Sequence, residues 1–116
     1  LVKEFTAGET ISALNLVYLD SSDTIFKATN NDSFDKAQAI GVAVSAASTG
    51  GQVEVQFFGV MEDPSLTFAA NTLLFLGTSG AITSVPPESG ANYSTRIGYG
   101  LGSGSIFITA EKPIVI

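Results

Sequence analysis

The residues in this sequence best suited to acid–base chemistry are three close pairs of carboxylates: Asp20 with Asp23, Asp32 with Asp35, and Glu62 with Asp63. Two carboxyl groups about 5 Å or 6.5–9.5 Å apart can cleave a glycosidic bond as acid and nucleophile or base. All three pairs fall in predicted turns, where Asp side chains order the backbone. Nothing in the sequence indicates a buried pair with shifted pKa values. We therefore predict no catalytic residue and no enzymatic activity, with a glycosidase as the least favoured alternative.

Cation binding is the second chemistry that these oxygen atoms could support. The stretches 20–23 and 30–33 supply oxygen ligands, but neither has the spacing and glycine of a calcium loop. The chain contains no His and no Cys, so the commonest general base and the usual zinc ligands are missing. The glycine-rich stretch 98–104 lacks the spacing and the following Lys-Ser/Thr of a phosphate loop. We predict no metal and no cofactor, and the sequence leaves open whether Asp20/Asp23 or Asp32/Asp35 bind a cation.

The overall charge excludes several classes of partner. The 116 residues carry a net charge of −6 with only five scattered basic side chains, so we predict no nucleic-acid binding. Neither binding to an anionic membrane nor a membrane-spanning run of about 20 apolar residues is predicted. The chain is 45% hydrophobic and only 14% charged, against about 25% charged residues in ordinary soluble domains. We therefore expect part of its apolar surface to be covered by a partner or by other copies of the chain.

The hydrophobic pattern predicts an all-β domain over 1–116. Apolar residues recur with a period of two, and turn signals punctuate them at short intervals, as in a β-sandwich or β-barrel of short antiparallel strands. Residues 16–20 with 24–28 and residues 38–46 with 52–59 are predicted hairpins, and Ser33 is predicted to cap one helical turn. The predicted strands are 2–6, 14–20, 24–29, 38–46, 52–60, 72–77, 81–84, 93–101, 105–110 and 113–116.

The second half of the chain repeats the plan of the first. The stretch 40–46 (IGVAVSA) is matched by 97–103 (IGYGLGS), and Val17–Asp20 by Leu74–Gly77, both at an offset of 57. We predict two halves, 1–60 and 61–116, related by a pseudo-two-fold axis. In both matched strands large residues alternate with small ones, so we expect the large faces to meet in one core. The small face, which in the second copy is glycine, should allow close backbone approach in the barrel wall or between subunits.

Several positions are predicted to form interfaces between chains. Phe57 and Phe58 are adjacent, so one of them should be exposed. The segments 2–6 and 113–116 are candidate strand edges for pairing across chains. The predicted interface residues are Phe57, Phe58, Gly98, Gly100, Gly102, Pro113, Ile114 and Ile116.

The order of these motifs resembles that of small β domains in tailed-bacteriophage virion proteins. The first half carries Gly8-Glu-Thr-Ile-Ser-Ala13, Val17-Tyr-Leu-Asp20, Ala39-Ile-Gly-Val-Ala43 and Gly50-Gly-Gln-Val-Glu-Val-Gln56. The second half carries Leu74-Phe-Leu-Gly77, Gly80-Ala-Ile-Thr83, Pro86-Pro87, Arg96-Ile-Gly98 and Pro113-Ile-Val-Ile116.

Such domains decorate or cement capsids, or form parts of head fibres and tail fibres. The resemblance implies a structural protein located in the virion, a homotrimer, and contacts with a major capsid or tail protein. The alternative is a glycan- or receptor-binding module of a tail fibre, in which Tyr18, Tyr93 or Phe58 would stack on sugar rings.

Overall fold

The computed structural model describes residues 2–20, 22–87 and 90–116 and confirms an almost entirely β protein. Twelve strands and one short helix lie in this part of the chain. They are β1 (Val2–Ala7), β2 (Leu16–Leu19), β3 (Thr24–Lys27), α1 (Phe34–Ala37), β4 (Gly41–Ala43), β5 (Gln52–Gln56), β6 (Phe58–Glu62), β7 (Leu73–Leu76), β8 (Ile82–Thr83), β9 (Tyr93–Ser94), β10 (Arg96–Gly102), β11 (Ser105–Thr109) and β12 (Ile114–Val115).

The first five strands close into a barrel in the order β1-β3-β2-β4-β5. Both predicted hairpins are present, because β2 pairs antiparallel with β3 and β4 with β5. The prediction of antiparallel strands holds for every barrel pair except β1 with β3, which is parallel at Thr6 and Ala7. A closed ring with an odd number of strands cannot alternate direction all the way round, so one pair must be parallel.

The remaining strands form an open antiparallel sheet, β6-β11-β10-β7-β8, and a small sheet of β12 with β9. Strands of the two halves occupy equivalent places in the barrel and in the open sheet: β1 with β6, β5 with β11, β4 with β10, β2 with β7 and β3 with β8. The matched stretches in β2 and β7 and in β4 and β10 lie 57 residues apart, whereas β5 and β11 begin 53 residues apart. In the open sheet the last connection, between β8 and β6, is missing. Descent of the two halves from a duplication stays a prediction.

Two groups of buried side chains form the core. One fills the barrel and consists of Phe5, Ala7, Ile11, Val17, Ile25, Ala43, Val53 and Val55. The other lies between the barrel and the open sheet and consists of Leu16, Ala28, Ala37, Ala39, Val42, Met61, Leu66, Leu74, Leu76, Ile97, Ile106 and Ile108. Strands β2 and β4 face both groups, so neighbouring residues such as Val42 and Ala43 are both buried.

The prediction for the large and small faces of β10 is only partly confirmed. Ile97 is in the core, but Tyr99 and Leu101 are exposed, and the buried positions are Gly98 and Gly100. An irregularity in the pairing with β7 between Arg96 and Gly98 shifts the alternation, so the glycines turn inward.

The predicted close backbone approach at these glycines is present, and it occurs within the chain. A Cβ added at Gly98 would overlap the carbonyl oxygen of Phe107, and one added at Gly100 would overlap that of Ala69. Neither glycine therefore owes its close contact to a neighbouring subunit.

Three local features refine the predicted elements. The predicted strand 52–60 is two strands, because the chain crosses from the barrel to the open sheet at Phe57. The predicted strand 93–101 is likewise divided into β9 and β10. The predicted helical turn is confirmed as α1, whose N-cap Ser33 accepts a hydrogen bond through Oγ from the Lys36 N–H at 3.4 Å.

Candidate interaction surface

Apolar side chains cross the side of the open sheet that faces away from the barrel. The pairing register places Val60 of β6 opposite Phe107 of β11, Phe107 opposite Tyr99 of β10, and Tyr99 opposite Leu73 of β7. Side chains at paired positions project from the same face of a sheet. These four residues therefore form one row across four strands.

Two further apolar residues widen this row. Phe58 lies two residues before Val60 on the same face of β6, and Leu101 lies two residues after Tyr99 on β10. We call the set of Phe58, Val60, Leu73, Tyr99, Leu101 and Phe107 the outer face. Phe58 and Val60 are 56% and 57% exposed, and Tyr99 and Phe107 stack with ring centroids 5.4 Å apart. The outer face exposes roughly 400 Å² of apolar surface, at about 150–250 Å² for one large aromatic side chain, which is comparable to the largest apolar patch of a typical monomer.

The open sheet is nearly free of charge. Its five strands contain one acidic residue, Glu62 at the end of β6, and one basic residue, Arg96 at the start of β10. Arg96 lies 4.0 Å from the carboxylate of Glu111 in an exposed ion pair. The outer face itself is uncharged, although the whole chain carries a net charge of −6.

The free edge of β6 is closed by a side chain of the same molecule. The amide nitrogen of Gln56 donates to the carbonyl oxygens of Phe58 at 3.3 Å and Val60 at 3.0 Å. Gly59, between them, has a positive φ of +103°, which makes the strand irregular. Occupied carbonyls and an irregular backbone both oppose the addition of another strand at an edge.

A second exposed apolar segment is strand β12. Ile114, Val115 and Ile116 are all exposed, Val115 at 73%, so neither face of the strand is covered in this chain. β12 pairs with β9 through Ile114 opposite Ser94 and Val115 opposite Tyr93.

The predicted interface residues are distributed unevenly over these features. Phe58 is exposed and belongs to the outer face, whereas Phe57 packs on the barrel core with its ring edge towards Phe5, 6.1 Å between centroids. The prediction that one of the two adjacent rings is exposed is therefore confirmed. Ile114 and Ile116 are exposed and Pro113 is buried. Gly98 and Gly100 are buried inside the chain, and Gly102 is partly exposed at the hairpin turn.

The predicted edge 2–6 is paired within the molecule along one side only. β1 pairs with β5 from Val2 to Thr6 on one side, while its pairing with β3 covers only Thr6 and Ala7.

The sequence reasoning missed most of the outer face. It treated Tyr99 as a core residue and singled out neither Val60 nor Leu73. In β6 and β11 the available signal was the alternation of Val60 and Phe107 with the buried Met61 and Ile106. In β10 the exposure of Tyr99 depends on the irregularity before Gly98.

Tyr18 stands between two open clefts on the barrel. One cleft, of about 580 Å³, is lined by Tyr18, Leu19, Asp20, Asp35, Gln38 and Ile40. The other, of about 490 Å³, contains Phe26, which stacks on Tyr18 with 5.8 Å between ring centroids. Burial raises the pKa of the Tyr18 hydroxyl, with the nearby Lys36 ammonium opposing this and the carboxylates of Asp20, Glu9 and Asp32 adding to it.

Three of the six carboxylates singled out from the sequence, those of Asp32, Glu62 and Asp63, accept hydrogen bonds from nearby side chains. Asp32 binds the Lys36 ammonium at 3.0 Å, and this hydrogen bond is the main reason that the pKa of Lys36 is raised. Asp63 accepts hydrogen bonds from the Ser65 hydroxyl at 2.7 Å and N–H at 2.9 Å, which lower its pKa. Within residues 2–20, 22–87 and 90–116, no three potential metal-ligating His, Cys, Asp or Glu side chains lie together.

None of the helical segments in the described part of the chain is long and apolar enough to cross a membrane.

Comparison with known proteins gives a likeness among solved structures. No protein-family model and no curated protein sequence matches the chain. Among solved structures, the chain is similar to the head fibre gp8.5 N base of bacteriophage phi29, with a TM-score of 0.57 and 14% sequence identity. The match covers 100% of this chain and 98% of that one. At this identity the likeness concerns the fold alone, and it extends over the full length of the chain.

Proposed function

We propose that this protein is a non-enzymatic structural component of a tailed-bacteriophage virion. It decorates or stabilises the capsid, or forms part of a head or tail fibre, through contacts with copies of itself and with a major capsid or tail protein. A homotrimer is the assembly that we expect. The full-length likeness in fold to a phage head-fibre base is the observation that carries this proposal.

The surface supports an assembly role. The outer face and strand β12 expose large apolar side chains, and the largest apolar patch of a domain is often an interaction site. Asp63 orders a turn, Asp32 forms an exposed ion pair with Lys36, and Ser33 caps α1. Contacts made by apolar surface and sheet packing need no catalytic group.

The proposal is tested on purified particles of the phage that encodes the chain. An antibody raised against the folded domain should label intact particles in immunogold electron microscopy, and the chain should remain with particles through density-gradient purification. Antibody that has been pre-absorbed with the pure domain is the control. Recovery of the chain only in the soluble lysate, with unlabelled particles, would contradict the proposal.

A second candidate function, glycan recognition, is favoured by Tyr18. An aromatic ring between clefts that hold Asp20, Asp35 and Gln38 combines a stacking surface with hydrogen-bonding groups suited to sugar hydroxyls. A glycan array probed with the intact chain tests it. Binding that is lost in Gln38→Ala and retained in Gln52→Ala, which alters an exposed glutamine elsewhere on the barrel, would support this function. A silent array combined with particle labelling would reject it.

A further inference from the structure

We infer that the outer face is the surface through which copies of this chain pack against each other. The inference rests on the proposed structural function and names the partner of one surface: a second copy of the same chain. The other surfaces, including strand β12, are then left for the rest of the particle.

The open sheet is covered on only one side. Its inner residues, such as Leu74 and Ile106, are fully buried against the barrel. The row on the opposite side has no layer above it, although its residues are as apolar as those of the core. An apolar sheet face is stabilised by a covering layer. The described part of the chain leaves this face exposed, so we assign its covering layer to another molecule.

The distribution of charge over the chain favours a second copy over an unrelated acidic or basic partner. Two copies with a net charge of −6 each repel one another at most approaches. The charges on the strands of the open sheet sum to zero, because Glu62 and Arg96 cancel and lie at opposite ends of the sheet. Approach through the outer face therefore brings the neutral parts of both molecules together and keeps most of the carboxylates apart.

Neither edge of the open sheet is suited to strand pairing between copies. Pairing between strands of different copies at β6 would have to displace the Gln56 amide from the carbonyls of Phe58 and Val60. The opposite edge, β8, is only Ile82–Thr83. Because one edge is closed and the other is short, we expect the copies to meet by packing their outer faces together.

The available area fits such an interface. Stable interfaces bury about 800 Å² per partner, a little over half of it apolar. The outer face supplies roughly 400 Å² of apolar surface by the side-chain areas used above. Polar residues around it, such as Glu62 and Thr109, would form the rim.

The experiment measures the mass of the intact chain and its variants by light scattering and sedimentation at about 1–100 µM, a range that covers ordinary interface affinities. The wild type should be a multiple of its 12.0 kDa mass. Val60→Lys and Leu73→Lys, at the two ends of the row, place a charge in the uncharged interface. Each should weaken association by about tenfold or more.

Val44→Lys is the matched control. Val44 is a valine exposed at 44% on the barrel rather than on the open sheet, and its substitution should leave the mass unchanged. Because all three positions are exposed, the variants should melt within a few degrees of the wild type. A wild type that is monomeric throughout the range, or folded Val60→Lys and Leu73→Lys variants that associate like the wild type, would overturn the inference.

These outcomes are separable from those that test the proposed function. A monomeric chain that still labels particles would leave the virion role intact and assign the outer face to a capsid or tail protein, against the inference. A chain that associates through the outer face but is missing from particles would support the inference and contradict the virion role.

Discussion

At the scale of single residues, the inward-facing glycines of β10 are among the positions that leave no room for a side chain. Gly100 exchanges backbone hydrogen bonds with the 69–72 loop, donating to the Thr72 carbonyl and accepting from the Asn71 N–H, both at 2.8 Å. The loop therefore lies directly on the strand, in space that any side chain at Gly100 would need.

We predict that Gly100→Val prevents folding and that Gly100→Ala lowers the free energy of unfolding by about 2–4 kcal/mol, because the Ala69 carbonyl must move. Gly50→Ala is the control, since nothing lies within 4 Å of its added Cβ. That substitution should cost only the roughly 1–2 kcal/mol of a left-handed backbone conformation. Urea denaturation measures both variants. Equal losses would show that the close approach at Gly100 is unimportant.

A pair of like charges on the barrel is a second residue-level feature. Glu4 of β1 and Glu54 of β5 are directly opposite each other, an arrangement that destabilises a sheet. We predict that Glu54→Gln stabilises the fold by a few tenths of a kcal/mol at low salt and that the gain shrinks at about 1 M NaCl, where charges are screened. The shift of the urea midpoint reports this. A gain independent of salt would exclude repulsion as its cause.

At the scale of elements, buried polar side chains join the two halves of the chain. Asn30, next to the barrel, donates through its side-chain amide to the Leu76 carbonyl of β7 at 3.0 Å. Thr95, between β9 and β10, is fully buried and donates through Oγ1 to the Ala37 carbonyl at the end of α1, at 2.8 Å. Because hydrogen bonds are directional, these two bonds fix the orientation of the open sheet relative to the barrel, which apolar contacts do not.

We predict that Thr95→Val, which keeps the shape of the side chain, costs about 0.5–1.5 kcal/mol, because the Ala37 carbonyl loses one of its two donors and keeps only the Ala39 N–H at 3.0 Å. Thr10→Val, at an exposed position outside the open sheet, should change stability by less than about 0.5 kcal/mol. Thermal or urea unfolding separates the two variants. If Thr95→Val were as stable as Thr10→Val, the hydrogen bond of Thr95 would not contribute to stability.

At the scale of the whole molecule, an acidic exterior is combined with an uncharged apolar sheet face. The net charge of −6 keeps copies apart in solution, whereas the outer face draws them together. Assembly is thus a balance between long-range repulsion and short-range packing.

We predict that self-association of the intact chain strengthens as NaCl rises from about 0.01 to 0.1 M, because the Debye length falls from about 30 to 10 Å. Sedimentation equilibrium over this range measures the change. Association that weakens with added salt would mean that ion pairs, rather than the outer face, hold the copies together.

The local pattern of the sequence was sufficient to predict most elements. Alternating apolar residues and turn signals placed β2, β3, β5, β7 and β11 to within a few residues, and Ser33 marked the start of α1. These features depend on neighbouring residues only. The matched stretches at an offset of 57 also anticipated which strands hold equivalent places in the barrel and the open sheet.

The candidate surface was not predictable in the same way. Which face of β10 is buried depends on a pairing irregularity before Gly98, and a shift of one residue exchanges the two faces of a strand.

By itself, then, the sequence determined an all-β chain of short strands, rich in apolar residues and poor in charge, because strand periodicity and composition are local properties. Only the tertiary structure decided that five strands close and five stay open, that Tyr99 points out while Gly100 points in, and that Val60, Phe107, Tyr99 and Leu73 share one row. Each of these depends on strand register, which is set by contacts between residues far apart in the chain.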